Sequence, residues 1–597
     1  MAADRPKRPL RRAGLISPFG VGAIVDYADG RSLMTASVDH WFDPQEPCPP
    51  ELEIKEERLC KVLRISEIRY PPDFNAGKIP ATSFPKWHHC PKCHLMRNQN
   101  SASECSSEQC RKDKTKTLPM RFVAVCANGH ISDIDWMLWV HGEEGPKEGC
   151  QLRYSAGRSA SLAGITISCT CSKKSTLGGL FSNSDGGGLQ QRCSGHRPWL
   201  GPAESESCNE LMHAAQKGAS NVYFADTKSA IYVPNWVADQ SSRIAAIIDS
   251  ENFWSLLKST MDDEDILNSR HIINSSFITA YAKTQGVDPG ALLKAAEAHQ
   301  KGDDGDRNEE EDLKPAEYAA ITSCMGSPEE ELYVKRADLT NYESWVSEFF
   351  SDVFLIPKLR ETRVLRGFTR VHPPSASDRD RIQSVAHRAR WLPGIKVTGE
   401  GFLLVFNFEK LRTYCDLTQC KQRAERIAEN VNKVNAQRGR ELIDVPPEEV
   451  LLHTFAHLMI RAISHECGYG SSALRERIYV DLEADTPMAG VMIYTASGDS
   501  EGSLGGIVRQ AEPRNLERSI RYALSEGQWC SSDPVCSETV GQGSDGANLA
   551  ACHSCALLPE TSCEYGNRLL DRVLVLGDAQ GEFHGYFSDL ISQLSFG

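Results

Sequence analysis

Long apolar segments and the motif of an ATP-driven motor are both missing from this chain. No run of about 18 apolar residues occurs, which is roughly the length of a membrane-spanning helix. The basic first residues lead into GLISPFGVG instead of the apolar core of a signal peptide. The pattern G-x-x-x-x-G-K-[ST], with which a P-loop ATPase holds phosphate, is also absent. We therefore expect a cytoplasmic protein that does not span a membrane and is not itself a motor.

Basic residues are fewer than acidic residues in this chain. The 66 Lys and Arg residues face 80 Asp and Glu residues, so that the formal net charge is -14. Proteins that coat nucleic acid alone use a basic surface that releases counterions from the phosphates, and this composition argues against such a role. Any DNA contact should come from local basic patches, for which the candidates are residues 5–12, RKDKTK at 111–116, and 358–371.

Cysteine, by contrast, is abundant, with 21 residues in a chain that has no secretory signal. Thiols in a reducing compartment usually serve metal binding or catalysis and seldom form disulfides. Because many of these cysteines come in closely spaced pairs, zinc is the expected cofactor.

Composition and periodicity predict a multidomain α+β fold in four segments. Residues 1–240 should form a strand-rich, zinc-ribbon-like region, and residues 241–323 a helical segment with an acidic linker at 301–315. A mixed α/β middle region should follow at 324–440, and a C-terminal α+β zinc-binding domain at 441–597. Within the last two segments, apolar patterning predicts helices at 422–434 and 447–467 and strands at 402–408, 477–482 and 490–495.

The first cysteine group is Cys90, Cys93, Cys105 and Cys110. A C-x2-C knuckle lets two thiolates converge on one tetrahedral ion, and a second pair across a loop completes the site. Four thiolates form the simplest ligand set here. The neighbouring His88, His89 and His94 remain possible substitutes.

Two further groups follow before residue 210. Cys126 and His130 form a C-x3-H pair, with His141 and Cys150 downstream, and this pair is either half of a metal site or an imidazole hydrogen-bonded within the fold. A third set of four thiolates is predicted with His196 as a spare ligand: Cys169, Cys171, Cys193 and Cys208.

The C-terminal group contains one more C-x2-C knuckle with single cysteines on either side. The simplest tetrahedral set is Cys536, Cys552, Cys555 and Cys563, with Cys530 in reserve. Closed four-thiolate sites have no open position for water, so we expect a folding role. An iron–sulfur cluster also takes four thiolates, but the compact C-x2-C-x2-C run is missing. The first, third and last groups together predict about three zinc ions.

Two other features suggest catalysis only weakly. His453 and His457 lie at i and i+4 of a predicted helix and so share a face, but no glutamate follows the first histidine as in H-E-x-x-H. Asp481, Glu483 and Asp485 would share one face of a continued strand and hold Mg²⁺ for a nuclease. Histidines hydrogen-bonded in a core and a solvated strand end are the competing explanations.

Several longer sequence motifs stand out near the N-terminus: GLISPFGVGAIVDYADG, CANGHISDIDWMLWVH, CSGHRPWLG, GASNVYF and SAIYVP. These motifs resemble the DrmB family, components of the DISARM antiphage defence systems of bacteria. The C-terminal phrases LLHTFAHLMIRAIS, GVMIYTASGDSEGSLGGIV and NLAACHSCALLPETSCEYGNRLLDR resemble the zinc-binding domain shared by that family and the MrfA-type DNA-repair helicases. The resemblance covers about 1–240 and 440–597, and the middle third has no such phrase.

This resemblance implies a subunit without enzymatic activity of its own. It would partner a DrmA-like helicase, which hydrolyses ATP, and engage invading DNA through the complex. The family's cysteine motif falls on Cys552, Cys555 and Cys563, with the fourth ligand open between Cys530 and Cys536. The alternatives are a metal-dependent nuclease or other DNA-processing enzyme that uses His453, His457 and the carboxylates at 481–485, and a sensor that only signals.

Overall fold

A computed structural model of the chain describes most of the 597 residues. The described residues are 10–42, 49–72, 79–100, 103–157, 161–182, 188–234, 244, 247–248, 250–259, 275–285, 287, 289–290, 292–293, 296, 313–374, 381–484, 486–495, 506–578 and 580–594. Asp485, the basic residues among positions 5–8 and all but the end of the predicted acidic linker lie outside them. The fold mixes helices with several sheets, and the α+β prediction is confirmed.

The strands of the N-terminal part are short. They are β1 Ile24–Asp26, β2 Ser32–Thr35, β3 Glu53–Ile54, β4 Glu67–Arg69, β5 Ala81–Ser83, β6 Trp87–His89, β7 Met96–Asn98, β8 Leu118–Pro119, β9 Phe122–Val125, β10 Ile131–Asp133, β11 Leu152–Ala156, β12 Ile165–Cys169, β13 Lys174–Thr176 and β14 His213–Gln216. Most of them pair in three-stranded antiparallel sheets, in the orders β1-β2-β5, β7-β6-β8, β10-β9-β14 and β11-β12-β13. Sheets of this size bury too little apolar surface to be stable alone, so they depend on what joins them.

A larger sheet takes its main strands from the rest of the chain. They are β15 Phe224–Ile231, β16 Tyr333–Arg336, β17 Phe350–Thr369, β18 Gln383–Ser384, β19 Trp391–Phe406, β20 Leu474–Asp481 and β21 Met488–Thr495. Its central order is β15-β17-β19-β21-β20, with antiparallel neighbours throughout, and β4 adds to β19 in parallel. The sheet therefore includes strands from three of the four predicted segments, and the division into those segments stays a prediction.

The described helices are distributed along the whole chain. They are α1 Glu57–Val62, α2 Glu108–Lys112, α3 Trp136–His141, α4 Glu251–Ser259, α5 Ser275–Gln285, α6 Lys314–Thr322, α7 Ser344–Phe349, α8 Phe408–Cys415, α9 Thr418–Gln437, α10 Pro447–Cys467, α11 Gly506–Gln510, α12 Asn515–Gly527, α13 Arg572–Leu576 and α14 Ser588–Leu594. None of the helices within the described part of the chain is long and apolar enough to cross a membrane.

Helix α10 lies in the main hydrophobic core. Thirteen of its residues are buried, including polar His453 and His457, because its apolar residues go all the way round the helix. Phe455 packs against Phe350 and Phe406 of the large sheet, with ring centroids 6.0 and 5.4 Å away. The helix ends where Gly468 takes a left-handed conformation with φ of 70°, which glycine adopts without a Cβ clash.

The basic patch predicted at 358–371 is not available to DNA. Residues 358–369 belong to β17, a central strand of the large sheet, and three of the arginines are ion-paired there: Arg360 with Glu56, Arg363 with Glu361 and Arg366 with Asp226. Arg370 is 1% exposed and donates hydrogen bonds to the carbonyl oxygens of Gly22 and Gly129. The arginines of this segment therefore hold the fold together.

The chain divides into two compact units, Val233–Ala316 and the remainder. The smaller unit contains α4 and α5 and has a core of its own, built from Phe253, Leu257, Ile278 and Ala282 among others.

Candidate metal centres

The described residues form five groups in which four ligand atoms from Cys, His or Glu lie within 4.8 Å of one another. Tetrahedral zinc has Zn–S bonds of about 2.3 Å and Zn–N bonds of about 2.0 Å. Tetrahedral geometry then places two sulfur ligands about 3.8 Å apart, and a sulfur and a nitrogen about 3.5 Å apart. The distances within each group can be compared with these values.

The first centre joins Cys90, Cys93, Cys105 and Cys110, the four residues that their spacing predicts. The Sγ atoms of Cys90 and Cys110 are 3.8 Å apart, and those of Cys93 and Cys105 are 3.5 Å apart. Burial opposes ionisation of Cys90, but hydrogen bonds from the backbone N–H groups of Cys93 and Lys92 and from neighbouring thiols lower its pKa to about 7. The group has the spacing and the chemistry of a closed four-thiolate zinc site.

The second centre joins Cys126, His130, Cys193 and Cys208. Cys126 follows strand β9, and a tight turn brings His130 back so that its Nδ1 is 3.4 Å from the Cys126 Sγ. The two other cysteines come from the segment between β13 and β14. A C-x3-H pair and two distant thiols therefore complete one tetrahedral set.

A carboxylate fixes the orientation of the imidazole in this second centre. The Glu206 Oε1 is 2.5 Å from the His130 Nε2, and Arg197 pairs with the other carboxylate oxygen at 2.9 Å. Burial opposes protonation of His130, but the neighbouring Cys193 and Glu206 raise its pKa overall. A carboxylate on the far nitrogen keeps the proton there and leaves Nδ1 to face the metal.

The third centre joins His141, Cys150, Cys169 and Cys171. His141 is the last residue of α3, and its Nε2 is 3.6 Å from the Cys150 Sγ and 3.4 Å from the Cys171 Sγ. Its Nδ1 is 2.8 Å from the Met137 carbonyl oxygen, one turn earlier in the helix. This hydrogen bond places the proton on Nδ1 and leaves Nε2 as the ligand atom.

The grouping of Cys169, Cys171, Cys193 and Cys208 into one site was wrong. The structure divides these cysteines between the third and the second centre. Sheet pairing causes the division. Cys169 is the last residue of β12, which pairs with β11 and so lies close to Cys150. Cys193 and Cys208 precede β14, and β14 pairs with β9, the strand that Cys126 follows. The spacing of the cysteines along the chain does not indicate which strands pair.

The fourth centre joins Cys530, Cys536, Cys552 and Cys555. The Sγ atom of Cys552 is 3.4 Å from that of Cys530 and 3.8 Å from that of Cys555. Cys536 and Cys555 are also 3.8 Å apart at sulfur. Cys530, held in reserve on spacing, is therefore a member of the group.

Cys563 does not belong to this fourth centre, and its assignment there is corrected. It lies in the fifth group, with His453, His457 and Glu476. The reason is again tertiary: Cys563 follows a short helical turn that packs beside β20, next to α10, and not beside the knuckle at 552–555.

Comparison with known proteins finds a matching family for each of two regions of the chain. Residues 11–224, which include the first three centres, match a family described as a domain of unknown function, DUF8724. Residues 455–556, which include all four cysteines of the fourth centre, match the MrfA Zn-binding domain. The chain is similar to DISARM protein DrmB. That similarity, to the protein of Bacillus paralicheniformis, is 29% identity over 582 residues, covering 94% of this chain and 99% of the relative.

The match to the MrfA Zn-binding domain and the Cys and His clusters agree with zinc as the cofactor. The first four centres each fit this ion, since thiolate and imidazole are the ligands of structural zinc sites. In each of them four protein atoms converge, which leaves no open position for a reacting water. The ion would contribute folding free energy because it joins separate loops that are not held together in the unfolded chain.

Sequence reasoning missed several of the residues in these centres. His141 and Cys150 were noted as downstream residues without a site, and Glu206 was not considered. A signal existed for His141: it ends the short apolar helix WMLWVH, which places an imidazole at the edge of a core. For Glu206 the sequence holds no comparable signal, because its partner His130 is 76 residues away.

The carboxylates of the alternative nuclease site do not join His453 and His457. Asp481 and Glu483 are exposed at the end of β20, and Asp485 is outside the described residues. Asp481 is five positions from Glu476, which puts it on the opposite face of the strand and roughly 16 Å along it. The buried glutamate, and not the exposed carboxylates, is the partner of the two histidines.

Proposed function

We propose that this chain is the non-motor, zinc-binding subunit of a cytoplasmic, DISARM-type antiphage complex, in which it partners a DrmA-like helicase and engages invading DNA. The observation that carries the proposal is the similarity to DISARM protein DrmB over 94% of this chain and 99% of the relative. A similarity of that extent includes both zinc-rich regions and the strands of the large sheet. It favours an equivalent whole subunit over a shared module.

The zinc centres suit a docking subunit because they hold loops in fixed positions. Trp529 and Val535 each precede a cysteine of the fourth centre, and Val540 follows shortly after. These three side chains are 79%, 77% and 70% exposed. A metal-bound loop loses little conformational freedom on binding, so exposed apolar side chains on it can contribute most of their burial energy to a partner interface. We infer that this zinc-bound loop contacts the helicase.

One of the predicted basic patches is suitable for DNA. Arg111, Lys112, Lys114 and Lys116 are exposed and lie immediately after Cys110 of the first centre. Positive side chains held beside a metal-bound loop can neutralise phosphates without a large ordering cost. The N-terminal patch is represented here only by Arg11 and Arg12, of which Arg12 packs over the Tyr70 ring at 5.5 Å.

The partnership is tested by co-expression with a DrmA-like helicase. We expect one co-eluting species at micromolar concentration. The triple variant Trp529→Ala, Val535→Ser and Val540→Ser should retain its zinc and lose co-elution. Leu442→Ser, which alters an apolar side chain that is 68% exposed outside the zinc-bound loop, is the matched control and should behave as the parent. Separate elution of the unmodified chains would contradict the proposal.

DNA engagement is tested on the same complex. The complex should bind DNA more tightly than either subunit, with an affinity that falls as salt rises. Lys114→Gln with Lys116→Gln should weaken binding and flatten its salt dependence. The pair Lys421→Gln and Lys433→Gln removes equal charge from α9 and serves as the control. If both pairs lower the affinity equally, only net charge matters, and the patch has no specific role.

A further inference from the structure

A fully buried group of polar side chains lies between helix α10 and the large sheet. His453 and His457 are one turn apart on α10, and Glu476 extends from β20 toward them. All three side chains have 0% exposure. The Cys563 Sγ completes the group, with all four ligand atoms within 4.8 Å of one another.

The strand register explains why a glutamate lies at this position. Glu476 pairs across the sheet with Ile493, which pairs with Phe402, which in turn pairs with Leu355. Residues directly opposite one another in antiparallel strands share a face, so Glu476 is aligned with the apolar side chains that pack against α10. A carboxylate in such a row is costly unless a cation or hydrogen-bond donors meet it.

Each histidine makes a hydrogen bond through its Nδ1, and this bond orients the ring so that its Nε2 points into the group. The Nδ1 of His453 is 3.3 Å from the Leu569 carbonyl oxygen, and the Nδ1 of His457 is 2.9 Å from the Ala556 carbonyl oxygen. Since a carbonyl oxygen only accepts, each Nδ1 has the proton. In a neutral imidazole each Nε2 is then a bare acceptor directed into the group, the arrangement found in metal-binding histidines.

Within this group the hydrogen-bond acceptors therefore outnumber the available hydrogen-bond donors. The Glu476 Oε1 is 3.0 Å from the His453 Nε2 and 3.4 Å from the His457 Nε2. A thiol proton on Cys563 could serve the His453 Nε2, 3.1 Å away. Two buried atoms still have no hydrogen-bond partner, the His457 Nε2 and the Glu476 Oε2. Orphaned acceptors in a buried site cost free energy, and a cation at their centre would satisfy them.

We propose that His453, His457, Glu476 and Cys563 bind a divalent metal ion, zinc by preference, at a fifth centre distinct from the four cysteine-rich ones. Two imidazole nitrogens, one carboxylate oxygen and one thiolate are a set that zinc accepts. For such a set the nitrogen–oxygen and nitrogen–sulfur separations should be about 3.3 and 3.5 Å. The observed separations of 3.0, 3.1 and 3.4 Å are close to these values.

The position of the group assigns the ion a structural role. It would fasten α10 to β20 and to the segment around Cys563, elements that are far apart in the chain. Because the two imidazoles and the carboxylate are fully buried, substrate cannot reach the ion by way of these three ligands. His453 and Cys563 also lie outside residues 455–556, so the match to the MrfA Zn-binding domain does not include the complete ligand set.

Metal content of the full-length chain, purified without chelators, tests this proposal. We expect five zinc ions per chain in the parent protein and four in Cys563→Ser. Cys415→Ser is the control, since Cys415 is a buried cysteine outside the five groups and its loss should leave five. Four ions in the parent, or five in Cys563→Ser, would overturn the proposal.

A measurement on the parent chain decides the question if the variant does not fold. The zinc X-ray absorption spectrum reports the average ligand set. Five centres give a mean of three sulfur ligands and one nitrogen or oxygen ligand per zinc, whereas the four cysteine-rich centres alone give three and a half and one half. A sulfur mean near three supports the fifth centre. A mean near three and a half, at any zinc content, contradicts it and indicates that protonated imidazoles meet Glu476 instead.

Discussion

Glu206 orients the His130 imidazole in the second centre, although neither spacing nor residue type suggests the pair. Its Oε1 lies 2.5 Å from the His130 Nε2 and accepts the hydrogen bond from that N–H, so that the unprotonated Nδ1 faces Cys126, Cys193 and Cys208. In the third centre the Met137 carbonyl oxygen has the same role for His141. One centre thus depends on a side chain that can be removed, and the other on a backbone atom that cannot.

Replacing Glu206 with Ala should therefore weaken zinc binding at the second centre alone. Loss of such an outer partner typically lowers metal affinity roughly 10- to 100-fold. Competition with a graded series of chelators should show one of the bound ions leaving earlier than in the parent chain. Glu210→Ala, which removes a nearby exposed carboxylate, should leave the release profile unchanged. An unchanged profile for Glu206→Ala would show that the turn at 126–130 orients the imidazole without help.

At the scale of secondary-structure elements, β19 and β21 approach so closely at one position that only glycine fits there. Gly399 lies in β19, opposite a register shift in β17, and faces the end of β21. A Cβ atom at this position would lie 1.9 Å from the carbonyl oxygen of Thr495. The two closest atoms are the backbone carbonyl oxygen and carbon of Thr495, so a side-chain movement alone cannot relieve the clash.

Substituting Gly399 with Ala should consequently destabilise the fold by at least the ~1–3 kcal/mol typical of overpacking. Thermal unfolding followed by circular dichroism should show a lower midpoint. At Gly218, an added Cβ meets no atom within 4 Å, and Gly218→Ala should leave the midpoint nearly unchanged. Equal midpoints for the two variants would mean that β19 and β21 separate at this end without cost.

Most of the helices and strands predicted along the second half of the chain are confirmed. The helix predicted at 447–467 has those bounds, and the polar helix at 422–434 lies within α9. The strands at 477–482 and 490–495 correspond to β20 and β21, apart from end positions. The strand at 402–408 is the end of a longer one, because β19 begins at Trp391 and the chain turns into α8 at Phe408.

For the molecule as a whole, the sequence lacks the phosphate cradle of a P-loop motor. The purified chain should accordingly release no phosphate from ATP, with or without DNA. Adding the DrmA-like helicase should produce DNA-stimulated hydrolysis, which serves as the positive control for the assay. ATP hydrolysis that stays with this chain through successive chromatography steps would show that it has a nucleotide site of another kind.

The sequence by itself determined which residues are available for metal and which elements form. The C-x2-C pairs at Cys90 and Cys552, for example, each form half of a centre because the turn that brings two thiolates together is local. The amphipathic and apolar runs likewise encode their helices and strands locally. About three zinc ions were expected on this basis, and four cysteine-rich groups exist in the described part of the chain.

Only the tertiary structure decided which half-sites meet. Cys169 and Cys193 are 24 positions apart yet belong to different centres, because β12 pairs with β11 whereas the segment after Cys208 pairs with β9. Cys563 is eight positions from Cys555 and faces α10 instead. Strand pairing is a long-range property set by total burial, and the order of residues does not record it. The same holds for Glu476, whose contact with two histidines follows from the packing of a helix on a sheet.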